Sequence, residues 1–127
     1  MEELINETIQ KVFIDDSLDT LVFQVDSGKC LGYQTRNDCC NWVIFQEVGP
    51  ISILTGAKVL EVKEKGVILG TFEGDVIDYY GITIKTTKGY ADIVFRNEHN
   101  GYYGGSVVFI GNDSPVDRMQ ELKTDLI

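Results

Sequence analysis

Apolar and polar residues alternate with a period of two in short runs along most of this chain, and no other feature constrains its fold so tightly. Successive side chains of an extended strand point to opposite faces, so such runs build half-buried strands rather than helices. The clearest case is YYGITIKTTKGYADIVFRN, in which Ile82 and Ile84 alternate with Thr83 and Lys85. After the TKG turn, Ile93 and Phe95 run back against Asp92 and Arg96, and the pattern predicts a hairpin. Upstream, TIQKVFI (Thr8 to Ile14), TLVFQV (Thr20 to Val25) and CLGYQTR read as a three-strand meander, with Gly28 of DSGK placed to take a positive φ. WVIFQEV (Trp42 to Val48), KVLEVKEKG and SVVFIG supply further strands. Residues 67–76, VILGTFEGDV, read either as an irregular insertion or as a strand with a bulge at Gly70.

Helical signals are confined to the margins. Glu2 to Glu7 and the Pro50-containing GPISILTG each suggest one helical turn. NDSPVDRMQELKTDLI offers Ser114 as an N-cap, Pro115 at the first helical position and Asp117 three residues after the cap. Val116, Met119, Leu122 and Leu126 make a narrow apolar stripe, which predicts a short C-terminal helix. The expected fold is mainly β, α+β at the margin. It is a compact antiparallel sheet, a sandwich or half-barrel of seven or eight strands, with short helical turns. One β-rich domain over 1–111 carries a helical tail at 112–127.

The 127 residues, 43% hydrophobic and 24% charged, have the balance of a single globular domain. No apolar run reaches the roughly 18–20 residues that span a bilayer, and the opening MEELINETIQ is acidic and polar. A soluble, cytoplasmic protein without membrane contact is expected. The formal charge of −9 disfavours counterion-driven binding to duplex nucleic acid. It fits a solvated acidic surface, or else imitation of DNA phosphates, although the acids are scattered rather than set in rows.

Three cysteines, Cys30, Cys39 and Cys40, make a poor disulfide framework and lack a CxxC chelate loop. Neither a metal nor a cofactor is expected. For catalysis the chain offers one histidine, His99, with Cys39 or Cys40 as nucleophile. No serine elbow, phosphate-binding Walker loop or HExxH pattern accompanies them. An enzyme is therefore the weakest class.

Binding is better served. In RNEHNGYYGGS, Gly101 and Gly104 permit close backbone approach to a ligand, and consecutive N–H groups form an anion-holding nest. Tyr102 and Tyr103 suit stacking, Arg96 suits a phosphate or carboxylate, and His99 and Asn100 add donors. In RNDCCNW, Asp38 and Asn41 flank the cysteines with Trp42 behind, a second candidate wall. The plain alternative is an ordinary HNG turn and a core indole.

Taken in order, DCCNW, a "G…I" segment and YYGITIKTTKGYADIVFRNEHNGYYGGSV resemble a family of small uncharacterised domains found in phages and bacteria. In that family an acidic–Cys–Cys element precedes a strand and an NGYYG element ends the domain. The likeness runs from about Glu2 to Phe109, and His99 stands where the family would have a small polar residue. The resemblance implies a phage-type accessory protein and names no reaction. Such proteins antagonise host defences, so the leading expectation is a binder that sequesters a nucleotide-derived immune signal, in a pocket that a homo-oligomer could share between subunits. The alternative partner is a host defence protein, met by an acidic inhibitor or DNA mimic. A small hydrolase of such signals ranks third.

Overall fold

Nine strands and two short helical turns account for the regular structure of this computed structural model, which describes residues 1–36, 41–72, 75–99 and 106–127. The strands are β1 (Thr8–Ile14), β2 (Thr20–Val25), β3 (Cys30–Arg36), β4 (Trp42–Gly49), β5 (Ala57–Phe72), β6 (Asp75–Thr86), β7 (Gly89–His99), β8 (Ser106–Gly111) and β9 (Gln120–Glu121). A 3-10 turn spans Glu2–Leu4, and α1 is the single turn Ile51–Leu54. The fold is mainly β and antiparallel, as the alternation predicts. The strand order is β4-β7-β6-β5-β1-β2-β3-β8, with β9 added on β1.

Two groups of strands meet at a narrow junction. Thr8 and Ile9 of β1 pair with Lys58 and Ala57 of β5, and there the two strands part. Both groups nonetheless feed one core: Ile9, Val12, Leu21, Phe23 and Tyr33 from one, Val43, Phe45, Val59, Ile84 and Ile93 from the other. An open sheet can bury one face of each half in a shared core only by bending over itself. Phe23 meets Tyr33 edge-on at 5.9 Å, a geometry worth ~0.5–1.5 kcal/mol beyond its buried area.

Bulges explain where simple alternation slips. A register shift between Ile9 and Lys11 flips the phase of β1, so Ile9, Val12 and Ile14 are all buried. The run 67–76 is neither an insertion nor bulged at Gly70. β5 continues through it to Phe72, Gly70 pairs with Ile77, and the irregularity lies between Glu64 and Val67. β6 offers a continuous partner along this length, so an extended backbone is satisfied throughout.

The C-terminal helix expected over 112–127 is not formed. The segment instead runs as an irregular strap across the sheet, with one turn closed by the Met119 N–H on the Val116 carbonyl. The N–H of Cys30 donates to the Asn112 carbonyl and that of Ser114 to the Cys30 carbonyl. β9 pairs Phe13 with Glu121 and Ile14 with Gln120, filling the space left where β1 and β5 part. Leu122 is buried in the core, and Leu126 exchanges two backbone hydrogen bonds with Val48. A short helix is marginal by itself, whereas strand edges supply ready partners for the same backbone groups. Gly32 makes this path passable, because a Cβ there would sit 2.1 Å from Ser114 Oγ.

Candidate functional site

Besides the tail, which passes from β9 to Leu126 beside β4, two strand-to-strand connections join the halves of the sheet, and both occur at one end. One segment leads from Arg36 of β3 to Trp42 of β4; the other leads from His99 of β7 to Ser106 of β8. Arg36 is paired with Ser106, and Trp42 with Glu98, next to His99. The chain therefore joins the same two pairs of strand ends twice. Six Cα steps separate Arg36 from Trp42, so these ends lie within ~22 Å of each other. Asp38, Asn100, Gly101, Tyr102, Tyr103 and Gly104, with Cys39 and Cys40, lie outside the described residues. The backbone of His99 closes β7 opposite Val76.

The core-facing side of this end is polar. Continuing the inward phase of β6 from Ile84 and Ile82 leads to Tyr80 and Asp78; continuing that of β7 from Ile93 and Phe95 leads to Asn97. Asn97 is fully buried and Asp78 nearly so, and the two are register partners. Asn41 Nδ2 donates to Asn97 Oδ1 at 3.1 Å, and Tyr80 Oη makes a long 3.5 Å contact with Asp78 Oδ2. Buried polar side chains at the end of an apolar row are the kind of departure from pattern that marks a site.

A pocket of about 260 Å³ adjoins this row, lined in part by Glu64, Tyr80, Ile82, Phe95, Ser106 and Val107. Its wall is an aromatic pair. The rings of Tyr80 and Phe95, cross-strand partners, stack at 4.9 Å with 7° between their planes. Lys65 also borders the pocket, but its ammonium is held by Asp92 at 2.9 Å. The bulge after Glu64 frees Lys65 from the ladder, and its stem crosses Gly81, where a Cβ would meet Lys65 Cδ at 3.2 Å.

Arg96 and Trp42 stand elsewhere. Alternation along β7 and β4 turns both away from the face that carries Asn97 and Val43. Arg96 forms an ion pair with Glu98, and Trp42 is 52% exposed beside it. The structure thus brings Asn41 to the inward polar row, while Arg96 and Trp42 share the outer surface of the same two strands. Asp78, Tyr80, Phe95, Asn97 and Glu64 were missed by motif reading. The available signal was a polar side chain falling in the buried phase of a strand.

Among the described residues no helix is long and apolar enough to cross a membrane, and no group of His, Cys, Asp and Glu is placed to hold a metal ion. The family model described as "Domain of unknown function (DUF7448)" matches residues 2–109, and the chain belongs to that family. Neither a curated protein nor a solved structure matches it.

Proposed function

We propose that this DUF7448 member is a binding protein without turnover, which holds a small nucleotide-derived molecule and, as a phage-type accessory protein, withdraws a host immune signal. The pocket walled by the stacked Tyr80–Phe95 pair and continuous through Tyr80 with the Asn41–Asn97–Asp78 row carries this reading. Its volume, about 260 Å³, is just under the ~300–1,000 Å³ of typical small-molecule sites. Apolar ring surfaces bordered by the polar side chains of Glu64 and Ser106 suit a planar heterocycle, which gains from both stacking and directional hydrogen bonds.

The cations at hand are already engaged, Lys65 by Asp92 and Arg96 by Glu98. The pocket itself therefore suits the ring of such a ligand, with its phosphates directed toward the end of the sheet where the chain crosses. Binding rather than catalysis is supported by the lining, which includes a carboxylate, Glu64, but neither histidine nor cysteine among the described residues.

Thermal unfolding against a panel of cyclic oligonucleotides and ADP-ribose derivatives tests the reading. A ligand at a hundred times its Kd should add ~2.7 kcal/mol, and Tyr80→Ala should abolish the shift. Heat-denatured complex should release the ligand intact by mass. A chemically altered product would replace the binder with an enzyme, and no shift with any member would overturn the proposal.

A further inference from the structure

We propose that the free edge of β8 is the seam of a homodimer, formed by antiparallel pairing of β8 with β8 of a second copy. β8 ends the strand order and, among the described residues, pairs with β3 alone. An end strand turns a row of backbone N–H and C=O groups outward, and natural proteins blunt such rows with charges, proline or a cover. β8 has none of the first two. Its sequence, SVVFIG, is uncharged in a chain of net charge −9, and Phe109 and Ile110 are 39% and 40% exposed.

The opposite edge of the sheet shows the contrast. β4 carries exposed Glu47, shifts register between Phe45 and Glu47, and is closed at Val48 by the two hydrogen bonds to Leu126. A head-to-tail join of β8 to β4 would build an open-ended array, and the Leu126 clip obstructs it. Pairing of β8 with itself about a twofold axis closes after two copies. An axis at Phe109 keeps each side chain on its own face of the sheet, setting Phe109 opposite the partner's Phe109 and Val108 opposite the partner's Ile110. Apolar side chains then meet apolar side chains, and no like charges face each other across the seam.

A ladder confined to the six residues of β8 is smaller than a standard protein interface, so a dissociation constant on the order of micromolar is expected. The proposal is independent of any ligand, although Ser106 and Val107 of the same strand also border the pocket. Measured without ligand, its failure leaves the binding proposal standing, and the reverse holds as well.

Sedimentation equilibrium of the full chain in reducing buffer, over roughly 1 to 300 µM, reads the assembly directly. The mass should rise from 14.2 kDa toward twice that value. Amide exchange over residues 106–111 should slow in step, and Val108→Lys should hold the protein at monomer mass. A monomer at every concentration would overturn the proposal. So would a dimer whose β8 amides exchange as fast as the monomer's, or one that Val108→Lys leaves intact. Should Val108→Lys fail to fold, exchange in the wild-type chain decides alone.

Discussion

Asn41 Nδ2 donates to Asn97 Oδ1 at 3.1 Å across 56 positions of sequence, and this bond ties the entry of β4 to the fully buried end of the inward row on β7. A buried amide left without its partner loses the hydrogen bond and retains its desolvation cost. Asn97→Ala should therefore destabilise by roughly 1–3 kcal/mol, and Asn41→Ala, at a half-buried position, by about 1 kcal/mol. In urea titrations the double variant should fall short of the sum of the single ones, showing that the two amides act as a unit.

Gly32→Ala tests the path of the tail. A methyl group at this position would press on Ser114 Oγ, at 2.1 Å, and on Ile110 Cγ1, at 2.9 Å. The tail must lift or β3 must shift, at a cost of ~1–3 kcal/mol, the usual range for overpacking. Limited proteolysis should cut residues 112–127 faster in the variant than in the wild type. Equal cutting rates would show that the contact is easily relieved.

Asp125→Ala removes the carboxylate that accepts the N–H of Ile51 at 2.8 Å, at the start of α1. The loss should be about 1 kcal/mol, the size of a helix-start acceptor. Asp125→Asn, which keeps an acceptor oxygen, should recover most of it. Comparable losses in both variants would point to the charge rather than to the hydrogen bond.

Burial, followed by the charge and hydrogen bond of Glu3, pushes the Tyr33 phenol well above its ordinary 10. The native state holds the proton while the unfolded chain releases it near pH 10, so stability is kept below that value and falls as pH rises above it. Tyr33→Phe removes this dependence. Between pH 9 and about 11.5, the Tm of the wild type should decline more steeply than that of the variant. Parallel declines would mean that other groups dominate the alkaline limb.

The strands were legible because period-two alternation is local. β2 and β1 begin and end where TLVFQV and TIQKVFI do, and the Gly28 turn has the expected positive φ, +90°. The tail was misread because its N-cap signal at Ser114 is local too, whereas the groups that outcompete a helix are distant. Ser114 bonds Cys30, and Leu126 bonds Val48. The glycine- and tyrosine-rich motif follows the end of β7 in sequence but did not identify the inward residues there. Asp78 and Asn97 belong to no motif, and their importance shows only when β6 and β7 are laid side by side.

The arrangement around β1 also bears on biosynthesis. β1 leaves the ribosome before β2 to β9, and the edge that does not face β2 is completed by β5 at Thr8 and Ile9 and by β9 at Phe13 and Ile14. β9 follows the other eight strands in sequence. During elongation the nascent chain can assemble the β1–β2–β3 meander early, but part of the β1 edge stays exposed until β9 has emerged. Such a chain depends on a quick final closure, and a premature stop beyond Gly111 would release a product with an unsealed β1 edge, open to mispairing.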